Sequence, residues 1–291
     1  MGTKNRSTKT AMGIFHCAAM AIIAPAIVSF ASCGKKVTGV SLDKTVLSLI
    51  VGDIEQLTAT VEPTGANKSV TWTSSDTGIA TVDKDGKVTA LAKGDAMITV
   101  TTNNGKKTAT CAVTVEGVLI NGIVWATRNV DAPGAFAASP ESFGMFYQWN
   151  RKIGWSSTDP LENSNGGTTW DSSVPDGTTW ESPNDPCPVG WRVPAQEELE
   201  SLLNTDYEWI TQNGVTGTVF GSAPNTIFLP AAGYRINDNG MMRIVGSDGF
   251  YWSSSQSNNI YVRTFDFQKG YASMYNDFRN FGFSIRCVKA E

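Results

Sequence analysis

Between Gly249 and Cys287, side chains suited to recognising another molecule recur at short spacing: Tyr261, Tyr271, Tyr275, Asn276, Asp277, Arg279 and Phe281. Rings supply rigid contact area at low entropic cost; short amides, a carboxylate and a guanidinium supply directional hydrogen bonds and charge. The mixture predicts a ligand-binding face made by the exposed side chains of 256–281. Two apolar-bounded ends hold it: Tyr251-Trp252 with the serines 253–255, and the run from Gly282 to Cys287. Arg263, Phe265 and Phe267 are assigned to the scaffold. The plainer reading of the same stretch is a β-meander with polar turns.

Catalysis has less to draw on. His16 is the one histidine, and it lies in a segment expected to be removed. Ser-His and Cys-His relays and histidine metal ligation then lack their central residue. Cys17, Cys33, Cys111, Cys187 and Cys287 show no CxxC spacing, which leaves zinc and thioredoxin-like sites unsupported. Glu197, Glu198 and Glu200 read as a solvated helix face, and no paired catalytic acids can be picked out. The expectation is a protein that is not an enzyme, with no catalytic residues, cofactor or metal. Net charge is −4; without Lys4, Arg6 and Lys9 the basic residues number 20 against 27 acidic. No basic stripe is present to neutralise phosphates, which argues against a nucleic-acid partner.

The elements that must position these residues fall into distinct blocks. Residues 1–32 read as an export signal: a basic start, an almost wholly apolar run from Ala11 to Phe30, then Ala31-Ser32 before Cys33. In 37–116, short strand-like segments are punctuated by turn signals. Asp85-Gly86 between Thr81-Val82 and Val88-Thr89, and Asn104-Gly105 between 98–100 and 110–113, predict tight hairpins. Cys111, Val113 and Val115 alternate inward, Trp72 is assigned to the core, and the set predicts a β-sandwich. Eight of nine tryptophans follow Glu116, marking a boundary. Strands are predicted at 123–130, 226–229 and 249–252. A helix is predicted over 195–203, with Leu199, Leu202 and Leu203 on one face. Residues 150–188 read as a long loop anchored by Trp155, Trp170 and Trp180. The blocks 37–116 and 118–291 are expected to fold independently, with proteolysis near Glu116-Gly117.

Several segments resemble known families. Phe30-Ala31-Ser32-Cys33 resembles a bacterial lipobox, which implies lipidation of Cys33, residues 33–36 as a short tether, and an outer-membrane lipoprotein of the Bacteroides type. Val70-Thr71-Trp72-Thr73-Ser74-Ser75-Asp76, Ala80-Thr81-Val82-Asp83 and Gly86-Lys87-Val88-Thr89-Ala90 resemble the bacterial immunoglobulin-like group 2 domain, commonly a stalk or adhesin module. Cys187-Pro188-Val189-Gly190-Trp191-Arg192-Val193-Pro194, Leu229-Pro230-Ala231-Ala232-Gly233-Tyr234 and Gly282-Phe283-Ser284-Ile285-Arg286-Cys287 resemble the Fibrobacter succinogenes major paralogous domain. That family is similar to the C-type-lectin-like fold. The resemblance implies a compact α+β domain over 117–291 whose two ends meet, with Cys187 and Cys287 joined by a disulfide. Such a loop of about 100 residues contributes up to about 4–5 kcal/mol on the chain-entropy model. Ala195 stands where relatives often carry a threonine N-cap, so the helix start is either frayed or capped otherwise.

The combined expectation is a mainly β chain with an α+β part: an Ig-like sandwich followed by a C-type-lectin-like domain. It would be displayed on a lipid anchor and bind a surface protein or glycan. A purely structural envelope protein and, more remotely, an enzyme of the formylglycine-generating type are the alternatives. Calcium-dependent sugar binding is not favoured, because no Glu-Pro-Asn tripeptide occurs.

Overall fold

The structure is a computed structural model that describes residues 35–258 and 260–290. The expected signal segment and the lipidation of Cys33 lie outside the described residues.

The first block has nine strands: β1 (Gly39–Leu42), β2 (Val46–Ile50), β3 (Ile54–Gln56), β4 (Ala59–Glu62), β5 (Val70–Ser74), β6 (Ala80–Val82), β7 (Lys87–Ala90), β8 (Gly94–Thr102) and β9 (Thr108–Glu116). They form a four-stranded sheet in the order β2-β9-β8-β5, a three-stranded sheet β3-β7-β6 and the pair β1-β4. Both sequence-predicted hairpins are present, with Val82 opposite Val88 and Ile98 opposite Cys111. The alternation in β8 and β9 buries Ala96, Ile98 and Val100 on one strand and Cys111, Val113 and Val115 on the other. Ile98 and the three valines each contribute roughly 1.5–3 kcal/mol of apolar burial. Cys111 is buried and free. Trp72 packs against this core. The turn beneath it requires glycine at 86: φ is +86°, and a Cβ there would stand 2.6 Å from the Leu57 carbonyl oxygen and 2.8 Å from the Trp72 ring.

The second block continues without a linker. Its elements are β10 (Val118–Ile120), β11 (Ile123–Trp125), β12 (Phe146–Tyr147), β13 (Gly154–Trp155), β14 (Trp191–Arg192), α1 (Gln196–Leu202), β15 (Tyr207–Gln212), β16 (Val215–Ser222), β17 (Asn225–Pro230), β18 (Tyr234–Arg235), β19 (Met242–Arg243), β20 (Asp248–Gln256), β21 (Tyr261–Gln268), β22 (Tyr271–Phe278) and β23 (Val288–Lys289). β23 lies between β11 and β14, so the two ends of the block meet in one sheet. Cys187 and Cys287 are disulfide-bonded, closing the same junction covalently. The predicted strand over 123–130 is shorter than expected, ending at Trp125; Asn129 instead turns inward to serve Arg286.

Residues 150–188 carry little regular structure, and Trp155, Trp170 and Trp180 are all buried. Three buried arginines fasten distant loops through carbonyl oxygens. Arg235 donates to the oxygens of Ser156, Thr158 and Gly240, and Arg286 to Asn129, Ala126 and Phe228. Arg279 is the third and is taken up with the site. A guanidinium suits this role because its fixed fork of donors reaches several acceptors at once.

The sheet β20-β21-β22 separates two cores. Tyr251, Phe265 and Phe267 join Leu199 and Leu202 of α1 on one side; Trp252 and Val262 join Tyr147, Trp149 and Phe283 on the other.

Candidate functional site

The three strands β20, β21 and β22 form an antiparallel meander, and their register decides which side chains meet. Opposite one another lie Trp252, Thr264 and Tyr275; Phe250, Asp266 and Ser273; and Asp248, Gln268 and Tyr271. Because side chains alternate across a strand, these rows share one face, with Val262 and Asp277 as a further row. The other face carries Phe265 with Met274, Arg263 with Asn276, and Tyr261 with Phe278. A two-residue turn, Lys269-Gly270, closes the hairpin, with Gly270 at φ +77°.

The first face is a ledge that grades from buried to open. Trp252 is buried on the β20 side, whereas Tyr271 and Tyr275 on β22 are 42% and 43% exposed. Their hydroxyls are 2.7 Å apart, and this bond raises the Tyr275 pKa above its ordinary value. Between these limits sit the carboxyls of Asp266 and Asp277. Burial, reinforced by Asp248 and Asp277, pushes Asp266 up to about 7. Burial also raises Asp277, against the Thr264 hydroxyl that donates to its Oδ2. Like charges brought together in a half-desolvated setting resist joint ionisation. Near neutral pH the ledge therefore offers a proton-holding acid, a second carboxyl and two phenols. These groups suit a cationic or multiply hydroxylated ligand.

The seven sequence-predicted residues are not one surface. Tyr271, Tyr275 and Asp277 share the ledge. Asn276 lies on the opposite face, where it accepts a hydrogen bond from Arg263 at 3.2 Å. Tyr261 is on that face too, its ring 4.9 Å from Phe278. Phe281 follows the strand and stacks on Phe283 at 5.5 Å. Arg279 corrects the expectation of an exposed contact, being only 3% exposed. It lies 4.6 Å over the Trp149 ring and donates to the oxygens of Gly177, Asn258 and Gln256. A guanidinium so placed holds the long loop to the meander and has little left to offer a ligand. Phe265 and Phe267 are buried scaffold, as expected.

Asp266 and Asp248 were absent from the expected set. The signal was present: in Val262-Arg263-Thr264-Phe265-Asp266-Phe267, the alternation puts Asp266 opposite in sense to the two phenylalanines. Only the register against Phe250 shows that the ledge face is also half-buried. The structure likewise gathers carboxyls where none could be paired by spacing. A second hollow, lined by Arg151, Trp155 and Asp171 among others, has a volume of about 470 Å³. Arg151 and Asp171 are ion-paired there. Among the described residues, no group of three or more His, Cys, Asp or Glu is placed to hold a metal ion. No helix among them is long and apolar enough to cross a membrane.

Comparison with known proteins divides the chain in the same way. Residues 36–113 match the bacterial Ig-like domain (group 2), and residues 208–288 match a domain of unknown function (DUF8237). A lacto-N-biosidase from Bifidobacterium bifidum is 52% identical over 89 residues, which are 31% of this chain but 8% of that protein. An Ig-like virion protein of Serratia phage KSP90 is 45% identical over 82 residues, 28% of this chain and 32% of that protein. The chain thus spans a small part of the curated relatives it matches. A crystal structure of an intimin mutant from EHEC O157:H7 overlaps 87% of this chain and 100% of its own, at 14% identity and a TM-score of 0.26, an overlap too weak to carry an argument. What these comparisons establish is an Ig-like first block; the strands set out above make the chain mainly β.

Proposed function

We propose that this chain is a cell-surface recognition protein in which the Ig-like block carries a ligand-binding second block. On this reading Cys33 bears a lipid anchor in the outer membrane, and the second block is a C-type-lectin-like domain of the Fibrobacter major paralogous kind. The ligand is a protein or glycan presented on a surface. One observation supports recognition above all: the ledge sets two exposed tyrosines beside half-buried carboxyls that have no basic partner among the described residues. The meeting of the second block's two ends around β23 and the disulfide is compatible with the domain type proposed. The phage relative carries its Ig-like character in its name, which suits display.

The test is a binding screen of the full chain against surface proteins and glycans, repeated with Tyr271→Ala and Tyr275→Ala together. Loss of an anchor aromatic typically costs about 2 kcal/mol or more, a drop of roughly thirtyfold in affinity. Arg279 is unsuitable for this test because its loss would disturb the loop. A ligand whose affinity is unchanged by the double substitution would move the site elsewhere, with the hollow beside Arg151 next in line.

A further inference from the structure

The backbone of β22 leads beyond the side chains of the ledge, though the inference rests on the same recognition reading. β22 is the outer strand of its sheet. The bonding pattern can be followed across the sheet from the β20 side. Phe250 accepts from the Ser284 N–H and Trp252 donates to the Ser284 oxygen, so both turn their backbone groups away from β21. The bonded pairs between β20 and β21 are then Gly249 with Phe267 and Tyr251 with Phe265. Successive residues of a strand point their backbone groups in opposite directions. Thr264 and Asp266 therefore bond to Tyr275 and Ser273 of β22. This leaves the N–H and C=O groups of Ala272, Met274 and Asn276 facing outward. Among the described residues none donates to or accepts from them.

Edge strands are usually blunted by lysine, proline, a bulge or a covering segment. β22 reads Tyr-Ala-Ser-Met-Tyr-Asn-Asp-Phe, with neither lysine nor proline, and pairs with β21 over its whole length without a register shift. Its exposed rings, Tyr271, Tyr275 and Phe278, flank the free edge on both faces. The two faces differ. Ala272 and Met274 are partly buried against the α1 side core, so a neighbour there would extend an apolar surface. On the ledge side stand Asp266 and Asp277, with no ion pair to either among the described residues.

We propose that β22 receives an extended segment of a partner protein as a fourth strand, one whose side chains alternate between apolar and basic. The backbone groups of Ala272, Met274 and Asn276 supply the ladder. Apolar side chains of the incoming strand cover Met274 and Phe278. Its lysines or arginines lie over the Tyr271 and Tyr275 rings, within reach of the ledge carboxyls.

The experiment measures binding of labelled peptides of about eight residues to the full chain by fluorescence anisotropy. One peptide alternates valine and lysine, a second valine and glutamate, and a third is the valine–lysine peptide N-methylated at alternate residues. The first is expected to bind, the second at least about tenfold more weakly, and the third not at all, since its ladder donors are gone. On the protein side, Asn276→Pro removes an outward N–H without touching the backbone bonds to β21, a substitution an edge tolerates; it also removes the side-chain oxygen that accepts from Arg263, a loss that Asn276→Ala shares and so controls for. Asn276→Pro should weaken the first peptide at least about tenfold. The N-methylated peptide keeps the test decisive should that variant fold poorly. Equal binding of the lysine and glutamate peptides, retained binding after N-methylation, or no binding by any peptide would overturn the proposal. So would dimerisation of the chain that Asn276→Pro abolishes, because the occupant would then be a second copy. A ligand from the screen that is lost with the two tyrosines but indifferent to Asn276→Pro would sustain the recognition reading and overturn the edge.

Discussion

Replacing Asp266 with asparagine removes a group whose ionisation the fold opposes. In the unfolded chain an aspartate ionises near pH 4, whereas burial and the neighbouring Asp248 and Asp277 hold Asp266 up to about 7. The folded state thus binds the extra proton between these values, and stability from this group falls as pH rises from about 4 to 7. Asp266→Asn should be more stable than the parent at pH 8, by about 1–3 kcal/mol after allowance for partial solvent contact. The gap should close toward pH 4. Urea denaturation across that range measures it, and a gap independent of pH would mean the carboxyl is not held neutral. Arg279 makes the opposite case. Arg279→Ala leaves the carbonyls of Gly177 and Asn258 without their donor and strips the cation from Trp149, at a cost of about 3 kcal/mol. Thermal unfolding would show it; a variant as stable as the parent would return Arg279 to the candidate contacts. Tyrosines at 271 and 275 could be read from the sequence as exposed because they alternate with Ala272 and Met274. Arg279 could not be read as buried, because its acceptors Pro175 and Gly177 lie about a hundred positions away in the chain.

At the scale of elements, turn chemistry was the dependable guide. Asp85-Gly86 and Asn104-Gly105 mark hairpins because the backbone there enters a region that few other residues favour. Asn213-Gly214 is the same signal, both residues at positive φ, and it joins β15 to β16. Its strands escape notice because Tyr207–Gln212 shows no clean alternation: both faces are partly exposed. The helix was legible, its start less so. Ala195 has no side chain to cap it, and two other groups do so. Glu198 Oε2 accepts the Ala195 N–H at 2.7 Å, and Ser255 Oγ accepts the Gln196 N–H at 3.0 Å. Glu198 also takes both guanidinium nitrogens of Arg192, at 2.7 and 2.8 Å. The start of α1 is thereby tied to β14 and to the end of β20. Ser255→Ala should cost about 1 kcal/mol, the usual loss for a cap, and Glu198→Ala more, since it breaks a cap and a bidentate ion pair together. Chemical denaturation of the two variants would order them; equal, negligible losses would show that this helix start needs neither.

At the scale of the whole molecule, the two blocks are in contact across their joint. The described residues from Lys35 onward cluster as one compact unit, although composition marks a boundary after Glu116. The reason lies at the junction, where β9 ends at Glu116 and β10 begins at Val118 with only Gly117 between. Gly117 has φ +94°, and a Cβ there would stand 2.8 Å from Val124 and 3.0 Å from the Trp191 ring. Val124 packs against the cores of both blocks, and Ile50 from the Ig-like block packs against the second. Near the C-terminal end, Lys289 reaches back to Asp53 Oδ1 at 2.7 Å and donates to the Val51 carbonyl at 3.0 Å. A sequence boundary records a change in composition, and contacts made across it by residues far apart in the chain leave no local trace. Against the expectation of independent folding with a protease-sensitive joint, these contacts predict a coupled unit. Scanning calorimetry of the full chain should show a single main transition, and limited proteolysis should spare the bond between Glu116 and Gly117. Gly117→Val forces a branched side chain into a left-handed backbone against Val124 and Trp191, and it should split the transition and open that bond to cleavage. Lys289→Ala removes one tie and leaves the packing, so it should lower the melting temperature by a few degrees, the shift expected for about 1 kcal/mol, without splitting the transition. Two separate transitions in the parent chain, with a cut at Gly117, would restore the flexible stalk and remove the physical basis for holding the ledge at a fixed angle to the Ig-like block.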